Sequence, residues 1–499
     1  MDPKVEAREL VQNLSGRMGP SPYDIAWMAR VPADSGDGVR WPDLLDWLIE
    51  HQWPDDSWGG VIPYYHDRIL CTLAAITALK ERGTRMGDSR AIQRGERYIW
   101  RNLHFLHHDP IELVGFELLL PTLLARAHAL DLDVPAHSGD YGRIRAAKLH
   151  LLPAELLYTP GTSTAFSLEF LDTRGDASCL CQLQGRNGSI ANSPSATAYV
   201  LLQSGENQEA LDYLGRMRAQ PGGIPHFHPL RTFEVTWVLE HLAFGGLSLD
   251  GLVEPAIWQE LQSVLREKGG VSMDPAFGIP DGDTTAVTLH ILALGGQPVD
   301  PMVLHQFEEP KTRTFRTLAF ERNASVGTNV HALEALSLMP DYPDRQEVRD
   351  HVVAMLLDAQ IYRSYWVDKW HASPYYATSH VLIALINAQE PMLAKCLHSI
   401  EWLLHSQRDD GSWGYFDRGT AEETAYALLA LLHYQRQVET VDTEVLRRGM
   451  ACLCRMVQEG SPYPELWIAK SLYAPEGMIG AAILAAMILY QETFGHVPD

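Results

Sequence analysis

Along most of the chain, apolar residues recur at the i, i+3, i+4 spacing of a buried helix face, in runs of about 10 to 20 residues closed by Gly, Pro or Asp turns. RILCTLAAITALKERG from Arg68 follows this pattern and stops at Gly83, a residue that favours helix C-termini. TAEETAYALLALLHYQRQ opens on Thr420, an N-cap residue, with Glu423 at the capping-box position. The strict alternation expected of strands is scarce. The pattern predicts an all-α protein whose short helices pair into hairpins, closing into α/α barrels or stacking as a solenoid.

A repeat punctuates this pattern. QRDDGSWGYFD from Gln407 follows one helix and precedes another, and QWPDDSWGG from Gln52 has the same layout, with Asp56 where the later copy has Gly411. QGRNGSIANS from Gln184 is a weaker third copy carrying Ile190 in place of the Trp. A Gln can bond the backbone at a helix end, Gly allows a tight turn, and Trp packs beneath the next helix. The repeat therefore reads as a scaffold brace and not as a site of chemistry.

Charge narrows the function. Lys and Arg total 40 against 63 Asp and Glu, a net charge of -23, whereas a nucleic-acid-binding surface needs clustered cations. The same balance disfavours broad adhesion to anionic lipid, but a small anionic substrate held by local Lys or Arg is allowed. The N-terminal MDPKVEARELVQNL is charged throughout, unlike a signal peptide, and no run of about 18 uninterrupted apolar residues predicts a membrane span. Six cysteines (Cys71, Cys179, Cys181, Cys396, Cys452 and Cys454) are too few for a disulfide framework in 499 residues. They fit free thiols and a cytoplasmic location. Their two C-x-C pairs lack the C-x2-C spacing usual for structural zinc.

The sharpest chemical signal is PDGDTTAVTLHILALGG from Pro280. Asp281 and Asp283 would point roughly 200° apart on a continuous helix. Pro280 and Gly282 instead place them on a turn opening into a helix that ends near Gly295. Two carboxyls crowded at a partly buried turn cannot both ionise cheaply, so one keeps its proton. A protonated carboxyl in a low-dielectric pocket is what an alkene-protonating acid requires. The bland alternative is a helix N-cap, for which Asp and Thr are common.

The motif Asp281-Gly282-Asp283-Thr284-Thr285 is similar to the Asp-x-Asp-Asp acid motif of class II terpene cyclases, in the Asp-x-Asp-Thr-Thr form of halimadienyl and drimenyl diphosphate synthases. The Gln repeats resemble the Gln-Trp motif of the same superfamily. SPYDIAWMARV from Ser21, VGFELLLPTLL from Val114, KLHLLPAELLY from Lys148, DKWHASPYYATSH from Asp368 and ELWIAKSLY from Glu465 resemble further family segments. Together they spread the resemblance over nearly the whole chain. It implies Asp283 as general acid, Asp281 as its partner, and a hydrogen-bonding role for Thr284, which departs from the usual Asp.

The resemblance also implies Mg2+ as cofactor, with Glu117 as its ligand and Asp109 and Glu112 as a degenerate acidic patch. Lys148 and Lys369 are implied as diphosphate ligands, whereas Lys470 is not expected to touch the diphosphate. Taken alone, Glu117 is either a buried paired carboxylate or a solvent-facing residue, and any single Lys defaults to the surface. Trp27, Phe116, Trp237, Trp366, Trp370, Tyr375 and Tyr376 are candidates for a cation-stabilising pocket, with core packing as their default. The Asp pairs Asp55-Asp56 and Asp409-Asp410 lie in the repeats and do not continue as the DDxxD of diphosphate-ionising synthases. The diphosphate is therefore expected to survive.

The implied architecture is two α/α barrels, with residues 1–34 and 213–499 forming the β barrel and 35–212 an inserted γ barrel. The implied reaction is protonation-initiated cyclisation of farnesyl or geranylgeranyl diphosphate to a bicyclic drimane, labdane or halimane diphosphate. The expected partner is this small molecule, with no nucleic acid and no stable membrane insertion; the oligomeric state is left open. Two rivals remain at this point: a carbohydrate-active α/α barrel enzyme using paired carboxylates, and a non-catalytic helical-repeat scaffold.

Overall fold

The structure is a computed structural model that describes residues 2–33, 38–137, 139–205, 207–318, 321, 324–460 and 462–497. Six helices close into one ring: Arg231–Phe244, Gly282–Leu294, Val326–Leu338, Pro374–Asn387, Ala421–Gln437 and Glu476–Phe494. Each packs on the next, and the last returns to the first. These helices are apolar nearly all round, as a wall enclosed on both sides must be. Helices Pro3–Gln12, Pro255–Lys268, Arg345–Asp358, Leu397–His405 and Thr443–Glu459 pack against them from outside. The outer helix Thr443–Glu459 buries Leu446, Gly449, Met450 and Leu453 on one face, the stripe of an amphipathic helix. Glu476–Phe494 is long and apolar enough to cross a membrane, but it forms part of this ring, with 56% of its apolar window buried.

A second ring is smaller. Helices Pro22–Met28, Tyr65–Arg82, Phe116–Ala129 and Pro194–Ser204 close through the 3-10 segment Ser163–Arg174. Outside it lie Pro42–Glu50, Met86–Asn102, Tyr141–Leu151 and Gln208–Arg218. The protein is thus all-α with two α/α barrels, plus, among the described residues, two short hairpins, Glu308–Glu309 with Thr314–Phe315 and Trp467–Ile468 with Leu472–Tyr473.

Packing divides the chain differently from the expected boundaries at both crossings. Ala7, Val11 and Met18 belong to the core of the first barrel, but Tyr23 to Val31 belong to the second. Helix Pro22–Met28 is itself an inner wall of the second ring, so it cannot belong to the first barrel as the expected 1–34 segment placed it. Tyr213, Leu214, Met217 and Ile224 also pack in the second core, and the first resumes at Phe227.

The predicted helix ends are present at Gly83, which caps Tyr65–Arg82, and at Thr420, whose hydroxyl accepts from the Glu423 N–H at 3.0 Å. The reciprocal half of that capping box is absent among the described residues. The Thr420 N–H bonds the Trp413 carbonyl instead, and the Glu423 carboxylate takes bonds from Ser373 and Tyr415.

The repeats are braces. Gln407 Nε2 donates to the carbonyls of Gly411 and Val445, and Gln52 Nε2 to those of Asp56 and Ala91. Trp413 and Trp58 are fully buried, their indoles donating to Leu403 and Leu48. A further copy emerges at Gln360 and Trp366. Trp366 is buried, its indole donates to Leu356, and its N–H bonds the Thr378 hydroxyl as those of Trp58 and Trp413 bond Thr72 and Thr424. All six cysteines are free thiols.

Segment 466–473 stitches the barrels together. Trp467, Ala469 and Tyr473 point into the first core and Leu466, Ile468 and Leu472 into the second, the two-residue alternation of extended chain. Lys470 is fully buried between them, bonded to Glu169 at 2.7 Å and to the hydroxyls of Ser193 and Ser195. It is a buried bolt, with its charge neutralised by a carboxylate.

Candidate active site

Between the barrels lies a cavity of about 930 Å³, its open mouth included. The first barrel lines it with Phe233, Trp237, Tyr376 and the acid motif, and the second with Val114, Ser163 and Phe166. Trp467, Ile468, Ala469 and Tyr473 complete the wall. Most of this surface is aromatic or aliphatic, with Asp281, Asp283, Thr284 and Asp368 among its few polar groups.

The acid motif sits at a helix start. Asp281 is the N-cap of Gly282–Leu294 in extended conformation, and Asp283 lies in the first turn. One carboxyl oxygen of Asp281 accepts from the Thr284 N–H at 2.6 Å, and the other from the Thr284 hydroxyl at 2.9 Å. The N-cap reading holds for Asp281, while Asp283, in the first turn, faces other groups. Gly282 fits because a Cβ there would meet the Arg316 carbonyl oxygen at 2.1 Å, and its N–H donates to Thr317 at 2.8 Å. Thr285 turns away from the cavity: its hydroxyl accepts the Val271 N–H at 2.8 Å, the same brace that Thr72, Thr378 and Thr424 make elsewhere.

Burial pushes the Asp281 carboxyl up to about 7, with the charge of Asp283 adding to the rise and the Thr284 hydrogen bonds opposing it. Asp368, also buried, is raised by burial and by Asp283, while bonds from Gly327 and Ser325 oppose the rise.

Sequence reading missed the groups behind Asp283. His331 Nδ1 stands 2.6 Å from Asp283 Oδ1, and its Nε2 lies 3.5 Å from Glu240 Oε2. Burial works against a charged His331, yet the Glu240 and Asp283 carboxylates outweigh it and push the imidazole up to about 10. Glu240 in turn faces His290 at 3.3 Å. No local motif could reveal these contacts, because ring closure brings together helices distant in sequence.

The diphosphate-binding candidates fall elsewhere. Lys148 pairs with Glu117, and Lys369 with Glu321; among the described residues, neither Lys nor Glu117 lines the cavity. Lys369 does lie beside it, over the ring of cavity-lining Trp370 at 5.3 Å, and burial pulls its amine down to about 8 against the Asp283 charge. Glu117 belongs to an acidic group around Tyr141. Burial first, then Glu112, Glu117 and Asp109, push that phenol far up. Asp109 is itself committed to His66 Nδ1 at 2.7 Å.

Of the aromatic candidates, Trp237, Trp370 and Tyr376 line the cavity. Trp27, Phe116 and Tyr375 are core residues on helices of their own barrels, and Trp366, in the connection between Arg345–Asp358 and Pro374–Asn387, packs in the first core.

Two α/α barrels enclosing an aromatic cavity with carboxyls in its wall define a terpene cyclase architecture, and the comparisons with known proteins agree. The squalene-hopene cyclase C-terminal domain family matches residues 319–479. A type B diterpene cyclase of Mycobacterium tuberculosis is 35% identical over 491 residues, covering 94% of this chain and 95% of the relative. A (+)-kolavenyl diphosphate synthase of Herpetosiphon aurantiacus is 31% identical over 526 residues, covering 96% and 95%. The solved ent-copalyl diphosphate synthase of Streptomyces platensis superimposes with a TM-score of 0.79 at 28% identity, over 98% of this chain and 99% of that one. The chain belongs to the class II diterpene cyclase family. The carbohydrate-active and scaffold alternatives fall with that membership.

Proposed function

We propose that this cyclase protonates the terminal double bond of geranylgeranyl diphosphate and closes it to a bicyclic prenyl diphosphate, with the diphosphate retained. The observation that carries the reading is the Asp281–Asp283 pair, buried in the wall of an aromatic cavity. The C20 length is supported by the relatives named as diterpene cyclase and copalyl diphosphate synthase.

In this mechanism Asp283 is the general acid. Its Oδ1 is engaged by His331, which leaves the other oxygen to deliver a proton into the cavity. Asp281, held up to about 7 by burial, retains a proton in the pair near neutral pH, and Thr284 fixes its carboxyl. The tertiary cation so formed is attacked in turn by neighbouring double bonds of a chain held prefolded by the cavity walls, which removes most of the entropic barrier. Trp237 and Tyr376 offer ring faces to the migrating charge.

The diphosphate is assigned to Lys148 and Lys369. Glu117, with Glu112 about the same phenol, offers carboxylate oxygens of the kind Mg2+ prefers, and Glu117 would be its ligand. Bound there, Mg2+ would neutralise diphosphate charge without cleaving the ester.

The test is a paired assay with Mg2+ and either farnesyl or geranylgeranyl diphosphate, using the protein and its Asp283→Ala variant. Products are dephosphorylated and identified by gas chromatography with mass spectrometry. A bicyclic alcohol from geranylgeranyl diphosphate, absent in the variant, is the expected result. Cyclisation of farnesyl diphosphate alone would move the substrate to C15, and undiminished cyclisation by Asp283→Ala would remove Asp283 from the acid role.

A further inference from the structure

Deeper in the first barrel, on the far side of His331 from Asp283, four inner helices aim a second set of polar side chains at one another. Glu240 comes from Arg231–Phe244, His290 from Gly282–Leu294, His331 and Glu334 from Val326–Leu338, and His380 from Pro374–Asn387. All five are buried. Glu240, His331 and His380 each bring one nitrogen or oxygen within 4.8 Å of the others, and Glu240, His290 and Glu334 form a second such group.

This cluster does not satisfy itself. Glu240 Oε2, His331 Nε2, His380 Nε2 and both carboxyl oxygens of Glu334 have no hydrogen-bond partner. Each stranded buried polar atom is costly to leave unpaired, and so many of them aimed at one point call for a partner there. The 3.5 Å between His331 Nε2 and Glu240 Oε2 is long for a hydrogen bond. It is near the edge of about 3.4 Å of a tetrahedron with metal–ligand bonds of about 2.1 Å. Two carboxylates, Glu240 and Glu334, balance a dication while the imidazoles stay neutral. A mixed imidazole and carboxylate set suits Zn2+ or a neighbouring transition ion better than Mg2+ or Ca2+.

We propose that Glu240, His331 and His380, with Glu334 or His290 completing the set, hold a divalent transition-metal ion in the barrel core behind Asp283. A metal on His331 Nε2 fixes the ring proton on Nδ1, so that Nδ1 donates to Asp283 Oδ1 at 2.6 Å. This is the carboxylate–histidine–metal arrangement that orients metal-bound imidazoles elsewhere. The metal polarises that N–H and strengthens the bond to Asp283, making its carboxyl a stronger acid toward an alkene. This consequence rests on Asp283 being the acid; the metal site itself does not.

The experiment measures metal by elemental analysis on protein purified without a polyhistidine tag, then follows thermal unfolding of chelator-treated protein as Zn2+ is added. The expected result is close to one equivalent of transition metal per chain, or stoichiometric Zn2+ uptake with a rise in Tm of several degrees. His380→Gln and Glu240→Gln should each lower Zn2+ affinity by about 10-fold or more, whereas Asp281→Asn, whose carboxyl is bonded to Thr284 and not to His331, should keep full binding. That last variant separates failure of the metal site from failure of the acid assignment. Protein isolated metal-free that neither takes up Zn2+ nor gains stability from it overturns the proposal. So does Zn2+ uptake unaffected by both ligand variants, which would place the ion elsewhere.

Discussion

His331 Nδ1 lies 2.6 Å from Oδ1 of Asp283, and the imidazole behind that contact is fully buried among inner helices of the first barrel. The contact occupies one carboxyl oxygen and leaves the other to the cavity, so in the proposed mechanism His331 positions the acid from behind. His331→Phe keeps a ring against Trp237, where the two now stand edge to face at 5.3 Å, and removes the bond to Asp283. We expect kcat to fall by about 10²–10³, the usual cost of losing one preorganised donor. KM should change little, because His331 is not part of the cavity wall among the described residues. Steady-state kinetics, with near-ultraviolet circular dichroism as a folding check, decides it; a rise in KM at constant kcat would contradict the assignment.

The pH dependence of turnover follows from Asp281. Its carboxyl is held up to about 7 by burial, and the Thr284 bonds oppose that rise. The acid pair therefore gives up its retained proton as pH rises through about 7, and kcat should decline on that side. Thr284→Val deletes the hydroxyl that stabilises the ionised form of Asp281 at 2.9 Å. The alkaline limb should move to higher pH in this variant, by up to about one unit, the equivalent of a hydrogen bond worth about 1.4 kcal/mol. A limb that moves to lower pH would show that the hydroxyl does not serve the carboxylate.

The same shift predicts a stability signature of defined sign. Unfolded Asp281 loses its proton near the ordinary aspartate value of 3.8, and the folded carboxyl only near about 7. Between these values the folded state binds more protons, so the contribution of Asp281 to stability falls as pH rises through this window and is constant above it. Asn keeps the N-cap and carries no titration. Relative to the natural chain, Asp281→Asn should gain stability from pH 4 to 7, by an amount on the order of 4 kcal/mol. Urea unfolding of both proteins at several pH values measures this; parallel stability curves would refute the raised carboxyl.

Adjacent threonines of the motif should separate cleanly. The Thr285 hydroxyl accepts the buried Val271 N–H at 2.8 Å and does not line the cavity among the described residues. Thr285→Val strands that donor and should cost about 1–3 kcal/mol of stability, seen as a lower urea midpoint. Turnover per folded molecule should hold. Loss of kcat in fully folded Thr285→Val would make this residue part of the site.

That contrast marks how far the sequence could be read. The helix starts, the glycine stops and the spacing of Asp281 and Asp283 are local signals, and they located the turn carrying the two carboxyls and the all-α fold. Thr284 and Thr285 look alike in sequence; only the segment packed against the helix tells them apart. Gln360 and Trp366 repeat the six-residue spacing of Gln407 and Trp413, so that brace was legible, but its turn lacks the Asp and Gly that advertise the others. Glu240 and His331 meet because six helices close a ring, and no local pattern carries that information. The crossing between barrels near Met18 and Tyr23 escaped for a related reason: which core a short apolar helix joins is set by its partner.

Gly282 sets propensity against geometry. At the first position of a helix, Ala is intrinsically better than Gly by up to about 1 kcal/mol, so propensity alone predicts that Gly282→Ala stabilises the protein. The added Cβ, however, would meet the Arg316 carbonyl oxygen at 2.1 Å, and backbone on both sides is tied by the Gly282 N–H bond to Thr317 at 2.8 Å. Relief requires the turn carrying Asp281 and Asp283 to move. A displacement of about 1 Å at a reacting group costs about 10²-fold in rate, and overpacking of this kind about 1–3 kcal/mol in stability. We therefore expect Gly282→Ala to lower both kcat and the unfolding midpoint. A variant more stable than the natural chain with unchanged turnover would mean that the Arg316 carbonyl yields, and that the position of the acid pair is less tightly fixed than this contact requires.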